Sequence, residues 1–274
     1  MSKKSKKLHN HNKKCYTFKD FKFDSGLFDK YVDMTYVITM ENSTRDYMSQ
    51  LKNHKPASNV RVQYNKGFKN CNKILKKQTT NYDLGDSLRN VFEDALSNGY
   101  KRILVFEDDF IIDKTKFKIS DIDVIGDFLK TKNPNVYNLG TIFHVSLPNF
   151  TGPHNLNLYS TSSHAVIYNE NYMKNYIKDY AKGKIEHTDR KYMSKFKVYS
   201  YKYPIIFQTF PETDNMKNWG WTWKFLKKMN EHFQLDRNID NYQKVHRLCF
   251  LIPFGIVIIF IVIIVLVIKF STKK

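Results

Sequence analysis

Apolar and polar positions alternate in short, distinct blocks along the first 230 residues. Thr35-Tyr36-Val37-Ile38-Thr39-Met40 is an uninterrupted β-branched and aromatic run, the pattern of a buried strand, and polar residues Glu41 to Asp46 follow it. Val60, Val62 and Tyr64 alternate as a second strand does. Leu84, Leu88, Val91, Phe92, Ala95 and Leu96 recur at helical spacing, with Asp86 or Ser87 able to cap that helix and Gly99 able to end it. Arg102 to Phe106 (RILVF) is an apolar strand that runs straight into Glu107-Asp108-Asp109. Val136 to Leu139 and Ser163 to Tyr168 read as further short strands. Tyr172, Met173, Tyr176, Ile177 and Tyr180 fall on one face of a helix after them. Strands alternating with helices in this way predict an α/β layered domain with a mostly parallel sheet. There is no internal repeat.

The pattern changes at the end of the chain. Leu248 to Ile268, LCFLIPFGIVIIFIVIIVLVI, carries no charge over 21 positions, against a mean hydropathy of −0.53 for the whole chain. A bilayer core takes roughly 20 helical residues, so this run predicts a C-terminal transmembrane helix. Lys244 and Arg247 precede it and Lys269, Lys273 and Lys274 follow, so flanking charge does not orient it. Only six residues follow the run, which suggests a single-pass tail anchor with the domain on the cytosolic face of a membrane. Two sequons, Asn42-Ser43-Thr44 and Asn149-Phe150-Thr151, would be open to glycosylation in the opposite orientation. The predicted organisation is a basic flexible arm (1–30), one domain (31–228), a charged juxtamembrane stalk (229–247), the span (248–268) and a short basic tail (269–274).

Composition narrows the function. Eighteen Tyr and 21 Phe exclude a fully disordered chain. The three cysteines, Cys15, Cys71 and Cys249, form no CxxC pair, which argues against a zinc ribbon or a disulfide scaffold and fits a reducing compartment. The N-terminus has no apolar segment of the kind a secretory signal needs. With 45 Lys+Arg against 26 Asp+Glu the net charge is +19. The lysines are dispersed beyond the terminal arm, and no nucleic-acid-binding motif accompanies them, so no nucleic-acid partner is expected. Attraction to anionic lipid or a plain Lys-rich composition accounts for the charge equally well.

The candidate chemistry lies in Glu107-Asp108-Asp109. Three carboxylates at the end of a buried strand repel one another, and a hard divalent cation, Mn²⁺ or Mg²⁺, would offset that repulsion. The plainer alternative is a solvated acidic turn. In open α/β sheets ligands bind beyond the carboxyl ends of the strands, where this cluster falls.

Five segments in order resemble glycosyltransferase family 25 and, more widely, the GT-A nucleotide-sugar transferases. They are Tyr36 to Met40 with Arg45; Ser87 to Ala95 with Gly99 and RILVFEDD; Tyr137-Asn138-Leu139-Gly140; Ser162 to Tyr168 with Glu186-His187-Thr188-Asp189; and Pro204-Ile205-Ile206-Phe207-Gln208. The similarity covers roughly Thr35 to Asp214. Leu88 stands where the family usually has His. The resemblance implies a single GT-A-like (Rossmann-like) domain and metal-dependent transfer of a sugar from a nucleotide-diphosphate donor, a UDP-sugar by preference. The acceptor is a hydroxyl on a glycan, lipid or protein, and the anomeric centre is inverted. The alternative is a catalytically inactive, membrane-anchored binding protein with the transferase fold.

On this reading Glu107, Asp109 and His187 are the candidate metal ligands. Thr39, Arg45 and Asp108 are candidate contacts to the nucleotide, with metal binding by Asp108, rather than a ribose contact, and a plain surface position for Arg45 as the alternatives. Inversion needs a base for the acceptor hydroxyl, for which Asp189 is the first candidate, followed by Asp214 and Glu212. His144 and His164 are either distant metal ligands or packed strand histidines. Trp219, Trp221 and Trp223 are better read as packing residues than as a sugar-stacking platform.

Overall fold

The computed structural model describes residues 11–147, 152–160, 164–186, 188, 192–209, 221–235 and 237–271; for 221–223, 225, 226 and most of 250–270 only the backbone is described. The following strands and longer α-helices occur in chain order among these residues. They are β1 (Tyr16–Lys22), β2 (Met34–Met40), α1 (Tyr47–His54), β3 (Asn59–Asn65), α2 (Thr80–Ser97), β4 (Arg102–Glu107), β5 (Phe110–Ile112) and α3 (Ile119–Lys132). Then come β6 (Val136–Asn138), β7 (His144–Leu147), β8 (His154–Ser160), β9 (Ala165–Asn169), α4 (Glu170–Ala181), β10 (Val198–Tyr201), β11 (Ile206–Gln208), α5 (Trp221–Phe233) and α6 (Ile239–Ser271).

Nine strands form one sheet in the order β1-β3-β2-β4-β9-β6-β10-β8-β7, and β11 and β5 make a separate pair. The expected mostly parallel sheet is corrected here. Only β3–β2, β2–β4 and β6–β10 are parallel. The other five neighbouring pairs in the large sheet are antiparallel, so the fold is a mixed α/β sheet. Two physical causes account for the difference. β9 inserts in reverse between β4 and β6, making both of its pairings antiparallel. The outer strands β1, β7 and β8 (YTFKDFK, HVSL and HNLNLYS) are rich in polar residues, so hydropathy does not mark them. β1 also draws part of the expected basic arm into the sheet, at its edge.

The central strands are apolar throughout because both faces are covered. Along β4, Leu104 and Phe106 pack with Val37, Val60, Val62, Ile125 and Leu129 in one layer. Ile103 and Val105 pack on the other face with Val91 and Phe92 of α2 and Tyr172 and Tyr176 of α4. α2 begins at Thr80, earlier than either predicted cap, and Gly99 follows its end with a φ of +76°, the left-handed conformation that glycine adopts freely. Cys15 and Cys71 are joined as a disulfide with their Cα atoms 5.8 Å apart, so the first strand is tied to the segment after β3. The reading of the cysteines as unlinked is corrected accordingly.

The single-pass C-terminal anchor is also withdrawn, and with it the membrane localisation and the cytosolic orientation that rested on it. Among the described residues no helix is long and apolar enough to cross a membrane. The run 248–268 is not a segment set apart behind a stalk. It continues α6, which starts at Ile239 and whose first turns belong to the domain. Tyr242 and Val245 are buried there with Leu235, Ile142 and Phe207. The Tyr242 hydroxyl donates to the Gly140 carbonyl at 2.7 Å. Side chains of most of 250–270 lie outside the described residues.

Candidate functional site

The parallel strands β2 and β4 end side by side, with Ile38 opposite Glu107. Beyond these ends the chain places a compact polar cluster. Asp108 and Asp109 follow β4 and are each only 6% exposed. Asp108 receives all its described partners from the segment leaving β2. Its Oδ2 accepts from the Thr39 hydroxyl at 2.6 Å and the Ser43 hydroxyl at 2.7 Å, and its Oδ1 accepts from the Arg45 guanidinium. The same guanidinium nitrogen lies 3.9 Å from Asp109. Arg45 thus supplies the positive charge that the acidic cluster needs.

Asp109 is held from the other side. Its Oδ2 accepts from Gln208 Nε2 at 2.9 Å, and its carbonyl accepts from the Thr209 amide at 2.9 Å, continuing the β5–β11 pairing. Its Oδ1 is buried and has no hydrogen-bond partner among the described residues. Burial pushes the Asp109 carboxyl up to about 6, with Asp108 adding to the rise, while Arg45 and Gln208 only partly offset it.

Gly140 and His164 pack against β11 at Ile206, two residues before Gln208. The Leu139 amide donates to the Ala165 carbonyl, and the Ile205 and Ile206 amides both donate to the Leu139 carbonyl. A Cβ on Gly140 would lie 2.2 Å from His164 Nε2 and 2.5 Å from the Ile206 carbonyl, so only glycine permits this approach. His164 is fully buried, with Nε2 3.4 Å from the Ile206 carbonyl, and burial pulls its ring down to about 4. Its Nδ1 is buried with no hydrogen-bond partner among the described residues. His144 lies elsewhere, on β7, where its Nδ1 is 2.6 Å from the Ser146 hydroxyl.

Thr39, Arg45, Asp108 and Asp109 therefore come together, with Glu107 half-buried at the end of β4. Of the remaining sequence candidates, His187, Asp189, Glu212 and Asp214 lie outside the described residues, as does Trp219. Ser43, Gln208 and Thr209 were not singled out as site residues. Gln208 ends the Pro204–Gln208 segment, whereas Ser43 stands out in sequence only as the middle of a sequon.

The bare, buried Asp109 Oδ1 has the chemistry of an oxygen ligand for a hard cation. Among the described residues, however, no group of three His, Cys, Asp or Glu could hold a metal ion. The described part of the site offers that oxygen and no complete metal centre.

No protein-family model and no curated protein matches the chain. Among solved structures it is similar to A197 from STIV, at 8% sequence identity over 66% of this chain and 86% of that one, with a TM-score of 0.38. Likeness at that level carries no argument about fold or function.

Proposed function

We propose that the protein transfers a sugar from a nucleotide-diphosphate donor, a UDP-sugar by preference, to a hydroxyl on a glycan, lipid or protein, with inversion. One observation carries this reading: residues of three family-like segments, far apart in sequence, meet at Asp108 and Asp109, and residues of the other two pack behind Gln208. Arg45 and Thr39 arrive from the first, Asp108 and Asp109 from the second and Gln208 from the fifth, while Gly140 of the third and His164 of the fourth meet at the Ile206 carbonyl, two residues before Gln208. Spacing alone does not require such convergence.

The chemistry assigned to the residues follows their charge. Arg45 offers a guanidinium to phosphate oxygens, where a paired geometry is favoured. Asp109, with Glu107 and His187, would hold Mn²⁺ or Mg²⁺, and that ion would stabilise the charge developing on the departing diphosphate. Asp189, Asp214 or Glu212 would take the proton from the acceptor hydroxyl as it attacks the anomeric carbon. The test is release of UDP from UDP-glucose, UDP-galactose and UDP-GlcNAc with Mn²⁺, comparing wild type with Asp109→Asn. Turnover that disappears in the variant supports the reading, and equal turnover in both removes Asp109 from the reaction.

Leu88 favours a second reading, a non-catalytic sugar-nucleotide-binding protein. It occupies the family's usual His position and is buried against the aromatic layer of α2 and α4, so no polar group acts from there. Donor binding without turnover of any donor would support this reading.

A further inference from the structure

Asp108 and Asp109 are equally hidden neighbours, yet their surroundings divide them. Asp108 has both oxygens engaged, Oδ2 by two hydroxyls and Oδ1 by Arg45, all from residues 39–45. Asp109 has one oxygen filled and one bare among the described residues. We propose that Asp108 is a positioning residue: it fastens the turn between β2 and α1 to the end of β4 and aims Arg45 at the anionic group of the ligand, leaving Arg45 and Asp109 to meet that ligand. This deepens the functional reading above and rests on it for the identity of the ligand, a diphosphate accompanied by a divalent cation.

A carboxylate already accepting from two hydroxyls and a guanidinium has little capacity left for a ribose hydroxyl or a metal. Thr39 is likewise committed, since its proton is on Asp108 and the residue is 3% exposed. Arg45 differs. Its side chain is 29% exposed, and one nitrogen bonds Asp108 while lying 3.9 Å from Asp109. It faces solvent with its orientation fixed from behind. The turn itself has modest backbone support, including Ser43 N to the Met40 carbonyl at 3.0 Å and Glu41 N to the Asn65 carbonyl at 2.9 Å. Asn42 and Thr44 are exposed. The bonds of Thr39 and Ser43 to Asp108 therefore act as its side-chain tether, and Arg45 stands two residues beyond the tethered serine.

The experiment compares Asp108→Asn, Asp109→Asn, the pair Thr39→Val/Ser43→Ala, and the conservative Thr39→Ser. In Asp108→Asn the side-chain carbonyl oxygen can still accept from both hydroxyls, but the new amide nitrogen cannot accept from Arg45. That variant therefore frees the arginine and keeps the turn. Titration with Mn²⁺ alone is expected to show little change for Asp108→Asn and a loss of about tenfold or more for Asp109→Asn. UDP affinity should fall by about tenfold or more in Asp108→Asn and in the Thr39/Ser43 pair, with near wild-type affinity in Thr39→Ser. Amide exchange over residues 40–46 should quicken in the Thr39/Ser43 pair and stay slow in Thr39→Ser. Loss of Mn²⁺ binding in Asp108→Asn equal to that in Asp109→Asn would make Asp108 a direct ligand and overturn the proposal. So would unchanged UDP binding and unchanged exchange in the Thr39/Ser43 pair. A wild-type protein that binds neither UDP nor Mn²⁺ would sink the functional reading instead. The exchange comparison then decides the tether by itself.

Discussion

Two acid pairs in this molecule are similarly buried and differ in what surrounds them. Asp83 and Asp86 on α2 are 5% and 0% exposed, and Asp108 and Asp109 after β4 are each 6% exposed. Around the first pair nearly every capacity is used. Asp86 accepts from Arg89 Nε, the Tyr16 and Tyr180 hydroxyls and Asn12 Nδ2. Asp83 accepts from the fully buried Lys73 at 2.5 Å, from Asn65 Nδ2 and from the Phe68 amide. Burial works to raise the Asp86 carboxyl, but Arg89, Tyr16 and Lys73 outweigh it and hold it below the usual carboxylate range. At Asp109 the same burial wins, because Arg45 is shared with Asp108 and one oxygen is bare. A satisfied buried network makes structure, and an under-satisfied one holds potential for a ligand.

The largest effect should come from cutting the satisfied network. Asp86→Ala leaves Arg89 buried without its main counter-charge and two tyrosine hydroxyls without acceptors. A loss of about 3–5 kcal/mol is expected in urea unfolding. A cost under about 1 kcal/mol would remove the distinction between the two pairs.

The disulfide belongs to the same region and should rank next. Cys15 adjoins Tyr16, and Cys71 is two residues from Lys73. Asn12 holds Ile74 through its Oδ1 at 2.8 Å and its Nδ2 at 3.2 Å while also reaching Asp86. Cys15→Ser/Cys71→Ser, or reduction, should cost about 2–4 kcal/mol, the range expected of a native cross-link. Combined with Asp86→Ala the losses should fall short of additive, since both loosen one network. Strict additivity would show that the cross-link acts apart from it.

How far the sequence reached depends on which of these physical features hydropathy can register. β2, β4 and β9 were legible because burial on both faces writes continuous apolar runs. β8 is not, because Asn157 is buried on polar partners: the Ser146 and Ser200 hydroxyls both donate to its Oδ1, and such pairing is invisible to periodicity. Around the site, Thr39, Arg45 and the acidic triplet could be located because they follow strands. Their division of labour could not, since which oxygen a hydroxyl reaches is fixed by tertiary approach. Asp86 shows the same limit from the other side: as a helix-start residue it reads as a cap, yet it is the centre of a buried ion network inside α2. The apolar run after residue 247 was read as a separate unit, although Tyr242 and Val245 already commit its helix to the domain.

A smaller, pH-dependent effect should separate a third group from both acid pairs. His144, His154 and His164 are pulled down by burial to about 4, and His246 to about 3, with His144 and Arg247 adding to the last. The His144 and His246 rings are 4.3 Å apart. A histidine whose folded value lies below its unfolded one, about 6.5, contributes its full stability above that pH. That stability drains as the pH falls towards 4, by up to about 1.4 kcal/mol per pH unit for each ring. His246→Gln should flatten the acid limb of a stability–pH curve and leave it unchanged above pH 7. An unaltered acid limb would show that His246 is protonated at no stability cost in the folded protein.

The smallest effect on stability, and the one that returns to the two acid pairs, is expected at Asp109. Asp109→Asn keeps the shape, keeps an acceptor for Gln208 if the amide is oriented towards it, and removes a poorly compensated buried charge. The stability change at pH 7 should lie within about 1 kcal/mol of zero and can favour the variant, because folding against the raised carboxyl already carries a cost. The sign follows from linkage. A carboxyl whose folded value lies above its unfolded one opposes folding above both, so wild type should gain stability as the pH drops through about 6 while the variant should not. Urea unfolding of both proteins at pH 5 and pH 7.5 measures this directly. A loss in Asp109→Asn as large as that in Asp86→Ala would mean that the bare oxygen is compensated from outside the described residues, and the contrast between a structural pair and a ligand-ready pair would fail.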